Sequence, residues 1–117
     1  MLSISAQTRI YIAVEATDMR KGFDGLCGLV SSTLHQDPLS GALFLFLNKR
    51  RDRMKVLYWD GDGLAIWYRR LEQGTFQVPL RQGDASSFEI RSDEFTMLLR
   101  GIDLSSVRRR KRFQLAS

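Results

Sequence analysis

Hydrophobic and polar residues alternate along several short stretches of the chain, which is the pattern of half-buried β-strands. In residues 9–16, RIYIAVEA, the side chains of Ile10, Ile12 and Val14 fall on one face. Further strands are predicted in LFLFL from residue 43, MKVLYW from residue 54, LAIWYRRLE from residue 64, TFQVP from residue 75 and SSFEI from residue 86. Antiparallel strands can be joined by short connections, so we interpret this series as an antiparallel meander.

Residues 17–38 have the three-to-four residue spacing of a helix that packs on a core. Its apolar stripe consists of Phe23, Leu26, Cys27, Val30 and Leu34. Asp18 or Thr17 is the predicted N-terminal cap, because a short polar side chain can accept a hydrogen bond from the first free backbone N–H groups.

A second helix is predicted after residue 91, with Ser92 as its cap and Gly101 at its C-terminus. Its buried stripe would be Phe95, Leu98 and Leu99. The fold class that follows is α+β, an antiparallel meander packed with two helices. We expect one domain over residues 1–104 and a basic, disordered C-terminal tail over residues 105–117.

Length and composition set limits on the class of protein. A chain of 117 residues fits one domain. No apolar run approaches the ~20 residues that a membrane span needs, and the N-terminus lacks the pattern of a secretion signal. The single cysteine, Cys27, cannot form an internal disulfide. These features favour a cytoplasmic protein.

Positive charge is concentrated in two places. The chain carries 18 basic and 13 acidic residues, and the run RRRKR at residues 108–112 accounts for the whole excess of +5. A second cluster, NKRRDRMK, occupies residues 48–55. Such clusters indicate a polyanionic partner, with nucleic acid the first candidate, although both could also be solvated loops. The candidate nucleic-acid-binding residues are Lys49, Arg50, Arg51, Arg53, Lys55, Arg69, Arg70, Arg108, Arg109, Arg110, Lys111 and Arg112.

The stretch LYWDGDGLAIWYRRLE, residues 57–72, raises the question of a carboxylate site. Asp-Gly between two apolar strands is a strong hairpin signal. A turn centred on Gly61 and Asp62 would place Trp59 opposite Leu64, and the same register puts Leu57 opposite Ile66 and Val56 opposite Trp67. In a turn, loss of the Asp62 side chain to alanine should lower stability, whereas asparagine should be tolerated.

Metal chemistry at this stretch is disfavoured by the number of ligands. A calcium loop of the EF-hand type needs a closing glutamate at its twelfth position, which here is Leu71. Two-metal phosphoryl transfer needs carboxylates that converge from different elements, and the sequence suggests none beyond Asp60 and Asp62. We therefore predict no metal, no cofactor and no catalytic residues.

Aromatic residues cluster beside arginines in the predicted hairpin. Trp67 and Tyr68 come directly before Arg69 and Arg70 in one strand, and Tyr58 lies in the other strand. Aromatic rings beside arginine can stack on bases, but an aromatic sheet face is also commonly covered by a second layer, such as a dimer mate. The sequence leaves both interpretations open.

Three segments together resemble a known family: DMRKGFDGL at residues 18–26, the block from DPLSG to EQGTF at residues 37–76, and LLRGID at residues 98–103. The family is the accessory protein TnpB of insertion sequence 66 elements, also described as transposase-associated Orf-two-like. Matching motif positions are Met19, Arg20, Lys21, Gly22, Phe23, Asp24, Gly25, Trp59, Asp60, Gly61, Asp62, Gly63, Trp67 and Tyr68. The chain departs from the family pattern at Ala16 and Thr17, where Pro-Val is expected, and at Leu104, where an aromatic residue is expected.

The resemblance implies a small bacterial protein that is encoded beside a separate DDE transposase and supports transposition. We therefore expect a non-enzymatic, cytoplasmic and nucleoid-associated accessory factor. Its expected partners are DNA and the transposase, with the motif residues as partner surface and a homodimer as an open alternative. The rival interpretations are a protein–protein adaptor without DNA contact and a metal-dependent nuclease that uses Asp60 and Asp62.

Overall fold

The run LFLFL forms the centre of the molecule, because all five of its residues are buried. The computed structural model describes residues 4–80, 83–103 and 108–109, with side chains described as far as Gly101. The elements are β1 (Ile10–Ala13), α1 (Phe23–Ser32), β2 (Leu43–Leu47), β3 (Arg53–Trp59), β4 (Leu64–Arg70), β5 (Ser87–Ile90), α2 (Ser92–Arg100), β6 (Ile102–Asp103) and β7 (Arg108–Arg109).

Five strands form one sheet in the order β4-β3-β2-β1-β5. Strands β2, β3 and β4 make the predicted antiparallel meander, and β5 runs antiparallel to β1. However, β1 and β2 are parallel, so the prediction of a purely antiparallel sheet is wrong. The reason is that α1 lies between these two strands in sequence and returns the chain to the end of the sheet where β1 began.

The two helices lie on opposite faces of this sheet. On one side, which we call the helix-1 face, Leu26 and Val30 of α1 pack with Phe44, Phe46 and Leu57. On the other side, the helix-2 face, the α2 residues Phe95 and Leu98 pack with residues of β1, β2 and β3. The α+β class is confirmed, and both faces of β2 are covered, which explains why its run of apolar residues is continuous rather than alternating.

The start of α1 differs from the prediction. The helix begins at Phe23, and Gly22 at its N-cap position provides no side-chain hydrogen bond. Asp18 lies four residues before Gly22 and instead accepts hydrogen bonds from Arg20. Leu26, Val30 and Leu34 of the predicted stripe are buried, but Phe23 is 49% exposed. The segment before the helix is therefore a separate loop rather than a cap.

The N-cap position of α2 lies one residue before Ser92, the predicted cap. Arg91 occupies the N-cap position and Ser92 is the first helical residue. The carboxylate of Glu94 accepts a hydrogen bond from the Arg91 backbone N–H at 2.9 Å. At the C-terminus Gly101 has a φ of 78°, the left-handed conformation that glycine adopts without steric cost, so this cap is confirmed.

The predicted strand TFQVP is wrong. Residues 75–79 belong to no strand, and Phe76 is instead buried in the helix-2 face. The backbone N–H of Phe76 donates to the Arg51 carbonyl at 2.7 Å. The segment is thus held in place by the buried Phe76 ring and by one hydrogen bond to the turn between β2 and β3.

The C-terminal region contributes a second, two-stranded pairing of Ile102–Asp103 with Arg108–Arg109. Arg108 and Arg109 belong to the predicted disordered tail. Their backbone is paired here, while the proposed boundary at residue 104 and residues 110–117 lie outside the described part of the chain.

The buried position of β2 leads to a stability prediction. Leu45 is completely buried, whereas Leu39 is 52% exposed. Leu45→Ala should lower the free energy of unfolding by about 2–5 kcal/mol, because it removes apolar contacts and leaves a cavity. Leu39→Ala should change it by less than ~0.5 kcal/mol. Urea unfolding followed by circular dichroism measures both values, and equal effects of the two variants would contradict the arrangement.

Candidate nucleic-acid interface

The turn between β2 and β3 is held together by its own side chains. The side-chain oxygen of Asn48 accepts hydrogen bonds from the backbone N–H groups of Asp52 at 3.1 Å and Arg53 at 2.9 Å. The amide group of Asn48 donates to the Asp52 carboxylate at 2.6 Å, and this bond lowers the pKa of that carboxyl. The backbone of the turn is therefore fixed from within, without using its basic side chains.

Lys49, Arg50 and Arg51 are all exposed on this turn. None of the three forms a salt bridge with any residue that the structure describes. Arg51 has a φ of 58°, a left-handed conformation that is unusual for a residue with a side chain. The structure thus presents three charged side chains, which we call the basic turn, on a backbone that cannot easily rearrange.

The DMRKG segment lies beside the basic turn and is held there by Lys55. The ammonium group of Lys55 donates to the carbonyl oxygens of Met19 and Lys21, each at 2.8 Å. It also lies over the ring of Tyr68, 4.9 Å from the centroid. The charge of Lys55, a predicted nucleic-acid contact, is thus shared between two carbonyl dipoles and an aromatic ring.

Asp18 and Arg20 form an ion pair within the same segment. The guanidinium group of Arg20 lies 2.7 Å from the Asp18 carboxylate. Hydrogen bonds from the Arg20 side chain and backbone lower the pKa of Asp18 to about 2. Asp18 and Met19 line a shallow groove together with Lys49, Arg50 and other residues of the turn. Two segments that the sequence identified separately, DMRKG and NKRRDR, therefore form one surface.

Arg69 and Arg70, neighbours in sequence, are separated by the pleat of β4. The guanidinium group of Arg69 lies 4.7 Å from the centre of the Trp67 ring and donates to the Leu99 carbonyl at 3.4 Å, on the helix-2 face. Arg70 lies on the other face and forms a 2.8 Å ion pair with Glu72. The predicted single group of arginines is thus divided between two faces.

The aromatic cluster is divided in the same way. Tyr58 and Trp67 are partly buried and pack against the core of the helix-2 face. Tyr68 is on the helix-1 face, opposite Lys55 in the strand pairing, and is 47% exposed. Of the three aromatic residues that the sequence grouped, only Tyr68 is available to a partner near the basic turn.

The WDGDG segment lies at the opposite end of β3 from the basic turn. Since β3 has seven residues, the two ends are separated by roughly 20 Å. The predicted register is confirmed, with Trp59 opposite Leu64, Leu57 opposite Ile66 and Val56 opposite Trp67. The hairpin therefore does not bring the acidic turn near the cationic surface.

The side chain that stabilises this turn is Asp60, whereas the sequence suggested Asp62. Its carboxylate accepts hydrogen bonds from the backbone N–H groups of Asp62 and Gly63, both at 2.9 Å. These two bonds lower the pKa of Asp60. Gly61 has a φ of 102°, so the turn requires a residue without a side chain there. Among the described residues, no group of three or more His, Cys, Asp or Glu side chains is placed to hold a metal ion.

The basic tail is only partly within the structure. The backbone of Arg108 and Arg109 forms β7, and Arg110, Lys111 and Arg112 lie outside the described residues. No helix in the described ranges is long and apolar enough to cross a membrane.

Comparison with known proteins identifies the family. The family model described as IS66 Orf2-like protein, TnpB_IS66, matches residues 8–109. The chain therefore belongs to this family of insertion-sequence proteins, as the resemblance implied. Two similar proteins of Sinorhizobium fredii (strain NBRC 101917 / NGR234) bear the names uncharacterized protein y4jC and uncharacterized protein y4hO. The first is 37% identical over 110 residues, covering 94% of this chain and 92% of the relative. The second is 37% identical over 103 residues, covering 88% of each chain. No solved structure matches the chain significantly.

The position of Lys55 leads to a prediction about the DMRKG segment. Lys55→Met keeps the aliphatic bulk but leaves two carbonyl groups without their donor, so the free energy of unfolding should fall by about 1–3 kcal/mol. Hydrogen exchange of the amides in residues 19–22 should become faster. Lys49→Met is the control, since Lys49 makes no such contact, and it should leave the exchange of these amides unchanged. Unaltered exchange in Lys55→Met would show that Lys55 does not hold the segment.

The Asp60 turn leads to a prediction about pH. The folded carboxyl has a pKa below its ordinary value of 3.8, so its contribution to stability is complete above that value and is lost as pH falls below it. Asp60→Ala should lower the free energy of unfolding at neutral pH, and this deficit should shrink in acid. Asp62→Ala should have a smaller effect at neutral pH, since its carboxylate accepts neither of these bonds. Urea unfolding at pH 7 and pH 3 measures both, and a larger loss from Asp62→Ala would contradict the structure.

Proposed function

We propose that this protein is a non-enzymatic accessory factor for transposition of an IS66 element in the bacterial cytoplasm, and that it binds DNA through the basic turn. Family membership supports the link to transposition. The single observation that supports DNA binding is that Lys49, Arg50 and Arg51 are exposed on a turn whose backbone is fixed by Asn48. Positive charges on a fixed backbone can bind phosphate groups without the additional cost of ordering the backbone.

The contact with DNA would mainly position the protein rather than read a sequence. Lysine and arginine side chains on a turn reach phosphate oxygens, and phosphate contacts carry no direct sequence information. The basic run at residues 108–112 would add a second, independent set of phosphate contacts. Under this proposal the protein is held on DNA near the element while the transposase performs the chemistry.

The transposase is the second proposed partner, with the DMRKG segment as the contact surface. Lys55 fixes this loop by donating to the backbone carbonyls of Met19 and Lys21. The side chains of the loop are not needed for these two contacts. Arg20 in this segment and Phe23, the first residue of α1, are exposed. A surface that combines a fixed loop with exposed charged and aromatic side chains is suited to a protein partner.

Fluorescence anisotropy on labelled element-end DNA and on scrambled DNA of equal length tests the proposal. The variant Lys49→Gln/Arg50→Gln should bind more weakly than wild type, and the slope of log affinity against log salt should become less negative by about 1.8 on duplex DNA if both residues contact phosphates. The control Arg91→Gln/Arg100→Gln removes the same charge from the two ends of α2, on the helix-2 face, and should change binding little.

A second comparison separates the tail from the folded part. A chain that ends at residue 107 should still bind DNA through the basic turn, with a smaller salt dependence than the full chain. If neither the full chain nor the shortened chain binds DNA, the DNA proposal is wrong. The adaptor interpretation would then be tested by measuring binding to the purified transposase.

A further inference from the structure

The part of the helix-1 face next to the basic turn is left open by α1. Toward the WDGDG end, this face is covered by the helix, where Leu57, Leu64 and Ile66 pack with α1 residues. Toward the basic turn, the pairs Lys55–Tyr68 and Arg53–Arg70 continue the same face. Tyr68 and Arg70 are exposed there. We call the group Arg53, Lys55, Tyr68 and Arg70 the tyrosine patch.

This patch contains an unfavourable arrangement of charge. Arg53 and Arg70 lie directly opposite each other in the strand pairing, and like charges in that position repel. Arg70 forms a 2.8 Å ion pair with Glu72. Arg53 forms no salt bridge with a described residue, and its guanidinium group lies 3.5 Å from the Tyr68 hydroxyl. An anion bound between the two guanidinium groups would relieve the repulsion.

Tyr68 lies at the centre of these cations with part of its ring open to solvent. The Lys55 ammonium group covers one face of the ring at 4.9 Å from the centroid. Tyr68 as a whole residue is nevertheless 47% exposed. Phe23, two residues after the Lys21 carbonyl that Lys55 contacts, is 49% exposed. A flat aromatic surface surrounded by cations is therefore available beside the basic turn.

Three carboxylates near this surface have partners of their own. Asp18 is paired with Arg20, Asp52 with the Asn48 amide and Glu72 with Arg70. A partner with anionic groups and flat rings has the complementary chemistry.

We propose that the tyrosine patch binds unpaired single-stranded nucleic acid, with a base stacked on Tyr68 and the flanking phosphates on Arg53 and Arg70. Stacking on an exposed ring beside cations is the general mode by which proteins hold single strands without sequence preference. A base in an intact duplex is stacked on its neighbours and cannot reach the ring. The patch would thus give the protein a preference for unpaired strands at an element end, a property that rests on the proposed DNA binding but goes beyond it.

Anisotropy with a labelled oligo-dT strand and with a duplex of equal length tests this inference. Tyr68→Leu removes the aromatic ring but retains apolar bulk, and it should weaken binding to the single strand by about 5- to 150-fold while duplex binding stays within twofold. Tyr68→Phe retains the ring and should bind the single strand as wild type does. Tyr11→Leu is a control outside the patch, because the Arg9 guanidinium group lies 5.6 Å from the centre of the Tyr11 ring. Unlike Tyr68, Tyr11 is half-buried and stacks on Phe44, so thermal unfolding must show that this variant is folded.

The outcomes distinguish this inference from the proposed function. If wild type binds DNA but Tyr68→Leu does so equally well, stacking is wrong and the basic turn remains. Equal losses on single strand and duplex, or loss of binding in Tyr68→Phe, would likewise overturn it. Poly-glutamate is a competitor that carries negative charge but no bases. If it displaces the strand from wild type and from Tyr68→Leu with equal potency, the patch binds anions in general and the stacking inference is wrong. Absence of binding to either DNA would overturn both proposals. Thermal unfolding of each variant excludes a folding defect as the cause.

Discussion

The parallel pairing of β1 with β2 is the constraint on which the arrangement of this molecule depends. Strands that run in the same direction end at the same edge of a sheet. The chain that leaves β1 therefore continues into DMRKG at the same edge where the chain leaving β2 continues into NKRRDR. The backbone N–H of Thr17 donates to the Leu47 carbonyl at 2.8 Å, which joins the two exits directly. An all-antiparallel meander would have placed one of these segments at the other edge.

The basic side chains at this edge divide into those that hold the fold and those that face solvent. Lys55 is bound to two backbone carbonyl groups, and Arg69 lies on Trp67. Lys49, Arg50 and Arg51 do not contribute to the fold in this way, because Asn48 supplies the hydrogen bonds that the turn needs. Net charge alone does not reveal this division, since a cation that is engaged with carbonyl dipoles offers less to a phosphate than a solvated one.

The sequence predicted the parts of the structure that depend on local pattern. The β3–β4 register followed from Asp-Gly between two apolar strands, and the Gly101 cap followed from one glycine after a helical stripe. What the sequence did not predict depends on contacts between distant segments. Lys55 contacts residues 34 and 36 positions away, and the parallel pairing depends on where α1 returns the chain.

Some errors had local signals that were available. The strand prediction for TFQVP is one of these: Phe76 is an isolated aromatic residue there, whereas the strands of the meander each carry several large apolar residues. The spacing of Asn48 and Asp52 around a basic loop is a recognisable turn pattern, because both side chains can bond the backbone between them. The division of Tyr58, Trp67 and Tyr68 between two faces also followed from the period-two geometry of strands.

The hairpin also separates charge along its length. Asp60 and Asp62 lie at one end of β3, and Arg53 and Arg70 lie at the other, next to the basic turn. A polyanion would be repelled by the first end and attracted to the second, so this distribution favours one orientation of approach. Because the acidic WDGDG turn and the basic turn lie at opposite ends of β3, the electric field that they produce is directed along the strand.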